Sequence, residues 1–298
     1  MTPAHLEQAV LVGGTGRSGT TIAGRVLNHH PALALTRSRE VRFLTSAGGL
    51  IAALGSAVPS DLAPVDPATF AENLRGRFYR WRKPSGIHEG LHRTVHPEVI
   101  DDAVRSYLAH VDDDPLGASR EVVFAILPHT LKHPDRRWID TTPTNVRLSR
   151  ALHTLLPRAR IVHMMRDGRD VAVSFAGKDF GPDDPREALE LWGERMMQAS
   201  AEESALEPGG VVTRVDLADW VGPDALDHVR LLCNDLDLER DDNFEHWFTT
   251  NVTSEGMHAG RWRAELDSRT AAELDARYHQ WCSMLSEQYP QFPLPRSS

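Results

Sequence analysis

Ala9-Val10-Leu11-Val12-Gly13-Gly14-Thr15-Gly16-Arg17-Ser18-Gly19-Thr20-Thr21 runs from an apolar stretch, through a glycine-rich loop, into a helical pattern. A buried strand that ends in such a loop and opens a helix is a phosphate cradle. The glycines let backbone N–H groups turn inward, and the helix N-terminus adds partial positive charge. Arg17 stands inside the loop. Thr20 and Thr21 occupy the places where an ATP-binding loop carries Lys and Ser/Thr.

Outward from the loop, short apolar runs alternate with helical patterns. Residues 9–13 read as a strand and 19–29 as the helix it feeds, closed by Pro31. Further strands are expected near Leu33–Thr36, Trp138–Asp140, Arg160–Met165 and Val211–Val215. Helices are expected from Thr142-Pro143 to about Leu156, after Asp167-Gly168, over 185–206 and over 268–288. Residues 45–65 read as a loop or short helices. Residues 66–110 carry helical periodicity in two pieces, split at Lys83-Pro84-Ser85-Gly86, and Asp112-Asp113-Asp114-Pro115 marks another break. The alternation predicts an α/β fold: a three-layer, P-loop-type arrangement with a central parallel sheet flanked by helices and ligands at the strand C-termini. A mainly helical insertion is expected over about 45–130, within one domain spanning 1–298.

The net charge of −9, with both signs scattered, excludes a nucleic-acid surface but leaves room for a locally basic cleft. Cys233 and Cys282 are far apart and have no CxxC partner, which fits a reducing, cytoplasmic setting. No apolar run reaches the length of a membrane span, and the first strand leaves no room for a signal peptide. Oligomeric state stays open, with a homodimer among the options.

The glycines alone fit more than one template. Gly14 and Gly19 have the spacing of Gly-x-x-x-x-Gly-Lys-Ser/Thr, but Thr20 replaces the lysine that reaches the β/γ-phosphates. Gly14, Gly16 and Gly19 also satisfy the dinucleotide pattern Gly-x-Gly-x-x-Gly, with Glu40 placed to hold a ribose. Arg17-Ser18-Gly19-Thr20-Thr21 meets a third template, basic-Ser-Gly-Thr-Thr. It resembles the 5′-phosphosulfate loop of sulfotransferases, which use 3′-phosphoadenosine 5′-phosphosulfate as donor. Arg160-Ile161-Val162-His163-Met164-Met165-Arg166 followed by Ser174 resembles the same family's 3′-phosphate segment. An arginine fork and a hydroxyl suit a ribose 3′-phosphate through charge-assisted hydrogen bonds. Gly260-Arg261-Trp262-Arg263 resembles its late Gly-x-Trp-basic element, although Glu255-Gly256-Met257-His258 lack the Arg-Lys-Gly run of the cytosolic branch. Trp138-Ile139-Asp140-Thr141-Thr142-Pro143 resembles its Lys-Thr-Pro stretch, with Thr141 in place of the lysine.

The resemblance implies sulfuryl transfer to a hydroxyl, or less readily an amine, of a small molecule, glycan or lipid. Adenosine 3′,5′-bisphosphate would be the product, and no metal is required. Gly16, Arg17, Ser18, Gly19, Thr20 and Thr21 would hold the 5′-phosphosulfate, Arg166 and Ser174 the 3′-phosphate, and Gly260, Arg261 and Trp262 would close over the adenosine. Arg17 would stabilise the leaving phosphate by charge, as an arginine does in the tyrosylprotein branch. Glu40-Val41-Arg42 resembles the Glu-x-Arg of that branch, which makes Glu40 the first candidate for the base and places Arg42 near the sulfuryl group. The histidines of the insertion, His88, His92, His96, His129 and His133, are weaker candidates, and His163 reads as a core residue. His88-Glu89-Gly90-Leu91-His92 spells a zinc-protease motif but lacks a helical context. Tyr79 and Lys83 have the spacing of a dehydrogenase pair but come too early in the chain. Two other readings remain: a P-loop kinase or related transferase with Asp140 on magnesium, and a non-catalytic nucleotide-binding module.

Overall fold

The computed structural model describes residues 4–82, 86, 89–176, 178, 180–206, 210–253 and 259–297. Lys83, Pro84, Ser85, His88 and the 255–258 run lie outside the described residues. Five strands, β1 (Val10–Gly14), β2 (Leu33–Leu35), β3 (Arg137–Asp140), β4 (Arg160–Met165) and β5 (Val212–Asp216), form one sheet in the order β2-β3-β1-β4-β5. Every pairing is parallel, with Val10 opposite Ile139 on one side and Arg160 on the other. The central strand β1 is buried along its whole length, as a strand covered on both faces must be. The chain leaves β1 for one side of the sheet, then crosses to the other. The loop after β1 therefore opens at a topological switch point, where α/β sheets bind ligands.

Side chains alternate between the faces. Val10, Val12, Val162 and Met164 pack against the helices Thr20–Leu27, Ala225–Asp235 and Asp242–Asn251. Leu11, Ala34 and Ile161 face the other way, onto a core shared with the helices Pro97–His110 and Pro115–Ile126. A third cluster, built on Phe175, Trp192, Tyr278 and Trp281, joins the helices Gly168–Phe175, Pro185–Ser204 and Ser268–Gln288. Aspartates start several helices. The Asp184 carboxylate accepts from the Arg186 amide with Pro185 at the first helical position, and Asp167 accepts from the Arg169 amide.

The expected strands and the 185–206 and 268–288 helices are present within a residue or two. The expected helix to Leu156 is two pieces, a 3₁₀ turn over Pro143–Leu148 and an α-helix over Ser149–Leu155. The first helical piece of the insertion is Pro67–Asn73 continued by a π-turn over Leu74–Phe78, and the second is Pro97–His110. The break at Asp112–Pro115 also starts a helix: Asp114 caps Gly117 and Pro115 opens Pro115–Ile126. His163 is a core residue. Its Nδ1 lies 2.5 Å from Glu203 Oε1, and Glu203 also accepts from Arg214 Nε at 2.6 Å. Both cysteines are free. Among the described residues, no helix is long and apolar enough to cross a membrane.

Candidate active site

The loop turns on left-handed backbone at Gly16 (φ +86°) and Gly19 (φ +99°), which glycine adopts without steric cost. Arg17 adopts the same region at φ +57°, uncommon for a residue with a Cβ and a mark of functional loops. Gly19 is the N-cap of the Thr20–Leu27 helix and brings no side chain to it. The first-turn amides of that helix are thus left for a ligand. Thr20 is buried behind the loop and Thr21 is exposed. The Ser18 hydroxyl is buried with no hydrogen-bond partner among the described residues.

The two halves of the expected donor site meet. Arg17 Nε donates to Ser174 Oγ at 3.0 Å, across 157 positions of sequence. Arg166, at the end of β4, donates from Nη1 to the Arg17 carbonyl at 3.2 Å. Burial first, then the charge of Arg261, hold the Arg17 guanidinium below its ordinary pKa. Burial first, then Arg261 and Arg17, pull Arg166 down as well, against the opposing charges of Asp170 and Asp167. The charge of Arg261 thus acts on both Arg17 and Arg166, and that of Arg17 on Arg166.

The late element is clamped to this cluster. Asp170, buried in the helix that carries Ser174, accepts from the Gly260 amide at 2.8 Å and the Trp262 amide at 3.3 Å. Trp262 is buried with Arg169 stacked over its ring, 4.4 Å from the centroid. Arg261 Nε pairs with Glu265 Oε1 at 2.7 Å.

Glu40 and Arg42 form a pair of their own. The Arg42 guanidinium lies over the Trp81 ring, 4.5 Å from its centroid. Asp140 at the end of β3 anchors this segment. Its Oδ1 accepts from the Val41 amide at 2.8 Å and from the Thr142 amide and hydroxyl at 3.2 and 2.8 Å. Its Oδ2 accepts from Asn145 Nδ2 at 3.0 Å. A small recess beside the pair is lined by Ser38, Phe43, Phe78, Trp81 and Leu91.

Arg195 was not marked by any motif, yet its Nη1 donates to the Thr15 carbonyl at 2.6 Å and holds the first limb of the loop. Neither was Arg147, which sits beside it. Both come from ordinary helical patterns, where an arginine looks like a solvated surface residue. The kinase alternative puts Asp140 on magnesium; the structure gives both its oxygens to protein donors.

The sulfotransferase family model matches residues 9–242, most of the chain. Comparison with curated proteins finds no match. Among solved structures, the sulfotransferase domain of the Synechococcus PCC 7002 olefin synthase is 15% identical, with 94% of this chain and 98% of that one covered and a TM-score of 0.49. Sulfotransferase STF1 of Mycobacterium tuberculosis is 16% identical, with 92% and 76% covered and a TM-score of 0.47. The sulfotransferase of Alicyclobacillus acidocaldarius is 12% identical, with 95% of each chain covered and a TM-score of 0.46.

Proposed function

The chain belongs to the sulfotransferase family, and from that premise we propose that it moves a sulfuryl group from 3′-phosphoadenosine 5′-phosphosulfate to the hydroxyl of a small molecule, glycan or lipid. The observation that carries this reading is the Arg17–Ser174 hydrogen bond with Arg166 on the Arg17 carbonyl. It puts a helix N-terminus and an arginine–serine couple at one mouth, which suits a nucleotide with phosphates at both ends.

The residue types around the loop support that donor. The uncapped helix start and the Arg17 side chain would take the 5′-phosphosulfate, and Arg166 with Ser174 the 3′-phosphate. Gly260 and Trp262, whose amides Asp170 holds, and Arg261 between them would border the adenosine. Bound there, the donor supplies the sulfuryl group: the acceptor oxygen–sulfur bond forms as the bond from sulfur to the 5′-phosphate oxygen breaks. Arg17 and the first-turn amides hold the negative charge gathering on the leaving phosphate. Arginine stays protonated, so Arg17 works by charge alone. Glu40 accepts the acceptor's proton, and Arg42 fixes the orientation of that carboxylate. The kinase reading is disfavoured because Asp140 is fully buried and occupied by four protein donors.

Thermal-shift titration tests the assignment. Adenosine 3′,5′-bisphosphate should raise the melting temperature by several degrees at a concentration of about 100 times its dissociation constant. ATP with magnesium, and NADPH, should do little. Stabilisation by either of those and none by the bisphosphate overturns it.

A further inference from the structure

Arg147 and Arg195 form a pair of half-buried cations behind the donor loop, which Arg195 holds at the Thr15 carbonyl. Arg147 lies on the 3₁₀ turn Pro143–Leu148, and Arg195 on the Pro185–Ser204 helix. Burial first, then the charge of Arg195, pushes the Arg147 guanidinium down to about 10. Burial also lowers Arg195, with only its chain neighbour Glu194 opposing. Among the described residues, neither makes an ion pair with a carboxylate. The Nε of each is buried without a hydrogen-bond partner. Arg147 has one long contact, Nη1 to Gln198 Oε1 at 3.4 Å, and Arg195 has the Thr15 carbonyl and the Phe175 ring, 6.0 Å from its centroid.

Two adjacent cations, desolvated and unneutralised, cost free energy unless an anion completes them. The place is informative. Arg195 Nη1 is 3.2 Å from where a Cβ on Gly16 would stand, so the pair borders the first limb of the loop, while Arg166 and Ser174 border the second. The Arg147 turn also touches the short helix Arg42–Thr45. Thr144 donates to Thr45 Oγ1 at 2.9 Å, at the end of the short helix that begins with Arg42. We propose that Arg147 and Arg195 bind an anionic group of the acceptor, so that the substrate is a hydroxyl compound already carrying a carboxylate, phosphate or sulfate. This inference rests on the sulfotransfer reading only in naming that anion as the acceptor's.

Calorimetric titration of sulfate, at constant ionic strength, into protein saturated with adenosine 3′,5′-bisphosphate tests it. The bisphosphate occupies the donor phosphates but leaves the sulfuryl position open too, so the share of sulfate binding that belongs to the second site is read from the Arg147 variants. Sulfate should bind the wild type. Arg147→Gln should weaken it at least tenfold, and Arg147→Lys, which keeps the charge but not the fork, by less. Bisphosphate affinity should stay the same in both variants, because Arg147 touches neither Arg17 nor Ser174. Sulfate isotherms that coincide in wild type and Arg147→Gln, or a matching loss of bisphosphate affinity, overturn the proposal. A wild type that fails to take the bisphosphate overturns the donor assignment instead, and the sulfate comparison is then read on the unloaded protein.

Discussion

Arg17 holds its guanidinium at the mouth of the site from backbone that costs of order 1–3 kcal/mol for a residue with a Cβ. Arg17→Gly relieves that strain, so the unliganded variant should melt at or slightly above the wild-type temperature. Its turnover should fall by about 10²–10³, the scale of one lost oxyanion-type donor. A clearly lower melting temperature would show that the lost Arg17–Ser174 hydrogen bond outweighs the strain relieved. Glu40→Gln should keep bisphosphate affinity and cut turnover by about 10²–10⁴; unchanged turnover places the base elsewhere. Asp140 has a different role. Burial raises its pKa to about 6, in spite of the donors from Asn145, Val41 and Thr142. The unfolded value is about 4, so between these pH values the folded state binds more protons. The stability tied to this group is fully present below pH ~4 and is lost as pH rises through ~6, by at most about 2–3 kcal/mol. Urea unfolding at pH ~4.5 and ~7 should show that decline in the wild type but not in Asp140→Asn.

At the scale of elements, the helix that follows the loop can approach the sheet only because Gly24 has no side chain. A Cβ there would lie 2.3 Å from Thr141 Cγ2. Gly24→Ala should therefore destabilise by about 1–3 kcal/mol. Thr141→Ser removes that methyl and keeps the hydroxyl bonded to the Arg39 carbonyl, so the double variant should recover most of the loss. Independent, additive effects in chemical denaturation would mean that the contact does not set the helix position. The strands were legible because β1 is an apolar run and β4 is apolar except for Arg160 and the buried His163, the pattern of sheet interiors. The Pro115–Ile126 helix was not, because the acidic run ending in Asp114-Pro115 reads as a stop, although an aspartate cap before proline is equally a start. The helices Ala225–Asp235 and Asp242–Asn251 escaped for a related reason. They are short and polar outside, and their apolar residues gain meaning only against the sheet. Arg17, Arg166 and Ser174 were legible because phosphate chemistry restricts residue type and spacing. Arg147 and Arg195 were not, because only tertiary approach separates a desolvated arginine from a solvated one.

Across the whole molecule, three segments far apart in sequence are tied through one short helix, by Asp170 and by Ser174. Asp170 starts from the helix after β4, which carries Ser174, and reaches the backbone at Gly260 and Trp262. Ser174 in turn meets Arg17 from the loop after β1. A nucleotide bound at the loop would therefore stiffen the late segment without touching all of it, because the contacts are in series. Removing the central link should uncouple the ends. Asp170→Ala leaves two amides without their acceptor, which costs about 1–3 kcal/mol locally, but it leaves the sheet and its helices intact. Far-UV circular dichroism should be unchanged. In the wild type, adenosine 3′,5′-bisphosphate should protect residues 259–265 from limited proteolysis. In Asp170→Ala that protection should disappear and bisphosphate affinity should fall by about tenfold or more, the loss expected from one or two charge-assisted hydrogen bonds. If the variant binds the bisphosphate as the wild type does and remains protected, the late segment is held by the stacking of Trp262 on Arg169 alone, and Asp170 is not the link between the two ends of the site.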